Sequence, residues 1–162
     1  MAQIEPDTYF TVQRKYVTQR HAPWGLATLS SKKRGATSYR YDKSAGNGTY
    51  AYVIDTGINI KHVDFGGRAS VGFSIAEDTS DIFGHGTHVA GIIGGETFGV
   101  AKQTEIIGVK VFLNSGGENS DVLDGLQWAV RDIIAKQRQS RAIINMSLGK
   151  WNSARTTKDK ID

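Results

Sequence analysis

The chain has 162 residues, 39% of them hydrophobic, and a net charge of +4, a composition that excludes whole-chain disorder and predicts about one domain. No run approaches the roughly 18 consecutive apolar residues of a membrane-spanning helix, and the N-terminus lacks a basic-then-apolar signal pattern, so no membrane partner is expected and no signal peptide is visible. Cys is absent, which excludes disulfides, thiolate metal sites and a Cys nucleophile.

Residues 1–45 show no clear periodicity and read as chain wrapping the surface. Residues 48–54, Gly48-Thr49-Tyr50-Ala51-Tyr52-Val53-Ile54, are rich in β-formers and stop at the turn signal Asp55-Thr56-Gly57. Further short strands are predicted at 69–75, 106–112 and 142–146; apolar runs of this kind suit parallel strands covered on both faces. Segment 85–93 reads as a helix with His85, Val89 and Ile92 on one face. Segment 120–137 reads as a longer amphipathic helix with Val122, Leu126, Ala129, Val130, Ile133 and Ile134 inward. Asp121 and Asp124 in its first turn, and Lys136 and Arg138 near its end, complement the helix dipole. Residues 150–162 form a polar tail. Strands alternating with helices predict an α/β fold, a parallel β-sheet flanked by helices in three layers. Residues 1–41, 42–135 and 136–162 carry +5, −6 and +5. The basic residues thus sit at the two ends rather than in a stripe on the core, so no nucleic-acid partner is expected.

In such sheets, chemistry gathers beyond the carboxyl ends of the strands. Asp55 ends the first core strand and His85 opens the helix that follows the second. An Asp accepting from one imidazole nitrogen fixes the tautomer and leaves the other nitrogen as a general base. Gly57, Gly84 and Gly86 would allow the close backbone approach this contact needs. On residue chemistry alone other readings stand beside it: Asp55 as a turn-former, His85 as a structural hydrogen bonder, or Asp55, His85 and His88 as ligands of a zinc site.

The strings Tyr52-Val53-Ile54-Asp55-Thr56-Gly57-Ile58 and Gly84-His85-Gly86-Thr87-His88-Val89-Ala90-Gly91 resemble the first two catalytic signatures of the subtilisin-like serine proteases. Ala22-Pro23-Trp24-Gly25-Leu26-Ala27, Tyr41-Asp42-Lys43-Ser44-Ala45-Gly46, Phe98-Gly99-Val100-Ala101-Lys102 and Gly108-Val109-Lys110-Val111 are similar to the proteinase K branch. The resemblance implies a subtilisin-like fold and serine-type endopeptidase activity on protein or peptide substrates. It makes Asp55 the catalytic Asp, His85 the catalytic His and His88 a structural second His. It implies that Asn114, Ser115, Gly116 and Gly117, with Ser147, Leu148 and Gly149, are the two segments that pair with an extended peptide. Lys150-Trp151 follow where further Gly is usual, which leaves the primary specificity pocket undefined.

Ile4-Glu5-Pro6-Asp7 resembles the end of the family's inhibitory propeptide, which would assign 1–16 to a propeptide remnant and 17–162 to the N-terminal part of the peptidase domain. A plain unstructured terminus is the competing reading of these residues. The resemblance implies an extracellular protein, no catalytic cofactor, and structural calcium with no assignable ligands; Lys32 stands where one branch has a calcium-contacting residue and argues against that particular site. The Gly-Thr-Ser-Met-Ala string of the nucleophile and the segment of the oxyanion Asn do not occur among the 162 residues. Ser147 is no substitute by this reading, because it lies in the peptide-binding segment. The chain is therefore expected to be a fragment or truncated product with little hydrolysis of its own. Its last strand should leave an unpaired edge, and a non-catalytic protein binding extended peptides or a complementary chain is the alternative.

Overall fold

The computed structural model describes residues 15–113 and 116–149. The chain divides after Ala45 into two compact units. In the first, β1 (Tyr16–Gln19) pairs antiparallel with β2 (Tyr39–Asp42), and α1 (Trp24–Ser30) lies between them in sequence. Ala22, Leu26 and Tyr39 form its small core, and Tyr41 stacks on Tyr39 with ring centroids 5.1 Å apart. For the described residues 15–45, these elements correct the expectation of unpatterned chain. Strands of four residues put only two side chains on each face, and a seven-residue helix makes two turns, so neither fills a window in which a period shows.

The second unit is a four-stranded parallel sheet of β3 (Tyr50–Asp55), β4 (Ala69–Ser74), β5 (Glu105–Lys110) and β6 (Ala142–Asn145), in the order β4-β5-β3-β6. Residues 51–55 and 106–110 are buried without interruption, because helices cover both faces of the central strands. Alternation sorts their side chains. Tyr52, Ile54, Ile107 and Val109 pack with Ala129 of α3 (Asn119–Ala135), whereas Val53 and Ile106 pack with Ala90 of α2 (His85–Gly94) and Phe65. Each such fully buried aliphatic side chain contributes roughly 1.5–3 kcal/mol.

The inward face of α2 is turned by one step from the sequence expectation, and that of α3 is narrower than expected, with four of its six residues facing the core. In α2 the buried residues are Gly86, Ala90 and Gly94, flanked by Val89 and Ile93, and Ile92 is exposed. In α3, Val122, Leu126, Ala129 and Ile133 point inward, and Val130 and Ile134 are exposed. Gly125 sets the line of contact, since a Cβ there would run into Val111 and sit 3.1 Å from Val109 Cγ1, so the helix rests on its glycine. Glu118 and Asp121 form a capping box at its start. Among the described residues β6 is paired on one side only, to β3, and Ile143 is 72% exposed, so the expected sheet edge is present.

Polar groups tie the layers together. The buried Tyr52 hydroxyl donates to Asp132 Oδ2 at 2.6 Å and accepts from Arg138 at 2.8 Å, and Lys136 lies 2.8 Å from Asp132 Oδ1. On the other face, Asp64 accepts from the amides of Thr97 at 2.8 Å and Phe98 at 3.3 Å. Burial pushes both carboxyls up, but these donors outweigh it and hold both below the usual range. A carboxyl depressed in the folded state contributes stability above its unfolded pKa, about 3.9, and loses it as pH falls through the folded value. The thermal midpoint should therefore fall steeply below about pH 4, and Asp64→Asn should flatten that part of the curve. A midpoint that is level between neutral and strongly acidic pH would contradict this.

Candidate active site

The topology leaves a crevice where chemistry belongs. From β3 the chain runs to β4 past Phe65, on the α2 face; from the adjacent β5 it runs to β6 through α3, on the opposite face. Neighbouring parallel strands whose connections leave on opposite faces open a cleft beyond their carboxyl ends.

Asp55 closes β3, and the alternation that aims Val53 at α2 aims Asp55 the same way. Gly84, left-handed at φ 86°, turns the chain into α2 so that His85 opens the helix beside it. His85 Nδ1 lies 2.8 Å from Asp55 Oδ1 and 2.9 Å from Oδ2. A carboxylate only accepts, so Nδ1 holds the proton and Nε2 is left as the basic nitrogen. The Asp55 side chain is fully buried and the imidazole is 44% exposed, so one partner is shielded from water while the other faces the cleft. Asp55 Oδ1 also accepts from the Thr56 amide at 2.7 Å.

Of the three glycines read as allowing close approach, Gly86 is the tight one. A Cβ there would strike the Gly57 carbonyl oxygen and lie 3.1 Å from Asp55 Cβ. Gly57 is held at φ 106° with the Thr79 carbonyl 3.3 Å from its Cβ position, whereas Gly84 has open space around it and serves only its backbone angle.

Three residues around the pair were not singled out as site residues in the sequence: Thr56, Asp81 and Lys110. Asp81 accepts from the Thr56 hydroxyl at 2.7 Å, the Gly84 amide at 2.9 Å, the Thr87 amide at 2.8 Å and the Thr87 hydroxyl. Burial pushes its carboxyl up, but the Thr87 and Thr56 donors prevail and hold it below the usual range. Lys110 belongs to the same face of β5 as Ile106 and pairs in register with Asp55; its buried ammonium donates to the Thr56 carbonyl at 3.0 Å and the Ser80 carbonyl at 2.6 Å. Asp81 stands three residues before the N-cap Gly84, outside the position at which a capping Asp is recognised in sequence, so no local signal points to it. Strand register points to Lys110.

A cavity of about 520 Å³ opens beside His85, and Gly116, Gly117, Ser147, Leu148 and Gly149 line it together with Phe112. Gly116 and Gly117 come from the β5–α3 connection and residues 147–149 from the end of β6, so both proposed peptide-binding segments reach the rim that carries the Asp–His pair. Asn114 and Ser115 lie outside the described residues. Ser147 Oγ accepts from Asn145 Nδ2 at 2.9 Å, while among the described residues the His85 ring hydrogen-bonds to Asp55. His88 is exposed on α2, and among the described residues no three His, Asp or Glu side chains gather as a metal-binding group. The zinc alternative therefore gains no ligand set among the described residues.

The fold and pair define a parallel α/β domain with a buried carboxylate orienting an imidazole at the carboxyl ends of its strands. Residues 46–162 match the Subtilase family, and the chain belongs to that family. It is 51% identical over 150 residues to alkaline protease 1 of Aspergillus clavatus, covering 92% of this chain and 37% of that protein. It is 57% identical over 134 residues to the alkaline proteinase of Hapsidospora chrysogena, covering 82% and 33%, and 48% identical over 149 residues to proteinase T of Parengyodontium album, covering 90% and 50%. The crystal structure of a cold-adapted subtilisin-like serine proteinase superposes with a TM-score of 0.70 at 39% identity, over 82% of this chain and 48% of that one. The chain thus spans a third to a half of the length of these relatives.

Proposed function

We propose that this chain carries the acid–base half and the peptide-binding edges of an extracellular serine endopeptidase. The observation that supports it is the Asp55–His85 contact at the mouth of the cleft between residues 116–117 and 147–149. Asp55 orients His85 and stabilises the imidazolium; Nε2 takes the proton of a serine hydroxyl as it attacks the scissile carbonyl, then passes it to the leaving amine. The serine and the oxyanion-hole Asn belong, in this reading, to sequence outside these 162 residues. Residues 17–162 are the N-terminal part of the peptidase domain, and 1–16 the end of an inhibitory propeptide, a segment that falls mostly outside the described residues.

Peptide recognition needs neither the serine nor the oxyanion donor, so it is testable on the chain alone. Titration of the 162-residue polypeptide with a labelled extended peptide should give saturable binding, with amide shifts at Gly117 and Gly149. Absence of saturation, or shifts confined to other surfaces, would remove the peptide-edge assignment. Those edges are also what the non-catalytic reading uses. Turnover by a completed chain separates the two.

A further inference from the structure

We propose that Asp81 is a positioning residue for the pair, clamping β3 to the first turn of α2 so that the His85 ring meets the Asp55 carboxylate. The inference rests on the subtilase reading of Asp55 and His85 and assigns a role to a residue outside it. Four donors converge on Asp81, from Thr56, Gly84 and Thr87. Two of them, the Gly84 and Thr87 amides, are ordinary helix capping, needed because Gly84 has no side chain with which to cap α2. The bond to Thr56 is different in kind. It crosses 25 positions of sequence to the residue that follows Asp55, and capping a helix does not require it.

The direction of that bond is fixed. Thr56 Oγ1 accepts from the Gly86 amide at 3.0 Å, so its single proton goes to Asp81. A closed circuit results: Asp55 bonds His85, Gly86 bonds Thr56, and the Thr56 amide returns to Asp55. Asp81 holds the Thr56 corner of this circuit, and Lys110 ties the same residue to the preceding Ser80 through two carbonyls. Because every partner of Asp81 is a donor, an Asn at 81 would turn its amide nitrogen toward donors in either orientation. The negative charge also sits at the positive end of α2, where it opposes the helix dipole acting on His85.

The experiment is the ¹H–¹⁵N spectrum of the His85 Nδ1 proton in the 162-residue chain, assigned by its loss in His85→Ala. In the parent chain this proton should be hydrogen-bonded and downfield, and Asp55→Asn should abolish that signature. Asp81→Asn and, independently, Thr56→Val should each lose it or move it upfield, while the β5 amides at 105–110 stay in place. Thr56→Val keeps the capping contacts of Asp81, so it reports on the clamp even where Asp81→Asn loosens α2. An Nδ1 proton unmoved in both variants, with shifts only at Gly84 and Thr87, would reduce Asp81 to a helix cap and leave the pair intact. A parent Nδ1 proton indifferent to Asp55→Asn would overturn the pair itself, and the clamp with it.

Discussion

In a chain completed by the second half of a subtilase domain, His85→Ala lowers kcat by about 10⁶-fold, a cost established in subtilisin, itself a member of this family, rather than a magnitude this geometry yields. The geometry supplies the reason and the ordering. With the imidazole gone, a serine hydroxyl has no acceptor for its proton, and Asp55, fully buried, cannot reach the cleft to replace it. Asp55→Asn should cost less, about 10⁴-fold. The imidazole remains, but an amide that donates to Nδ1 places the ring's proton on Nε2, the wrong side for a base. Initial rates with a chromogenic peptide check both, with circular dichroism to show that each variant keeps its helices. Turnover of His85→Ala within tenfold of the parent would refute the assigned role, and an Asp55→Asn variant slower than His85→Ala would refute the ordering.

The strongest signals in the sequence are local ones. Asp55 stands at the end of a six-residue β-rich run and His85 at the head of a Gly-rich helix start, so each is marked by its neighbours and the α/β alternation brings both to one rim. The parallel sheet is equally plain, because β3 and β5 are covered on both faces and read as continuous apolar runs. What escaped reading depends on distance. Thr56 and Asp81 are 25 positions apart, and Lys110 reaches Thr56 across 54, so no window holds both ends of either contact. The outer edge of the α3 face escaped for another reason. Counting apolar residues at helical spacing treats Val130 and Ile134 as core, but Gly125 lets α3 approach the sheet along the stripe through Leu126 and Ala129, and that leaves the other two at its exposed edge. Absence of a side chain carries no weight in a hydrophobic pattern and yet decides the packing here.

The same logic makes Gly86→Ala the most damaging change of a single methyl group near the site. A Cβ at this position has the Gly57 carbonyl oxygen on one side and the Asp55 side chain on the other, neither of which is the free end of a flexible chain. Room is made only by moving the end of β3 or the first turn of α2, and Gly86 itself donates to Thr56 Oγ1, so that hydrogen bond lengthens as the two separate. Overpacking of this kind costs about 1–3 kcal/mol of stability, and a displacement near 1 Å at a reacting pair costs about 10²-fold in rate. Gly91→Ala, on the same helix with no atom within 4 Å of its Cβ position, is the matched control: it should leave the rate near the parent value and raise stability by about 0.5–1 kcal/mol, the ordinary advantage of Ala over Gly inside a helix. Chemical denaturation of the chain and kcat of its completed form read the two effects separately. Equal stability of Gly86→Ala and Gly91→Ala would mean that α2 does not press on β3 as described; equal rates with unequal stability would mean that His85 follows Asp55 when the helix shifts.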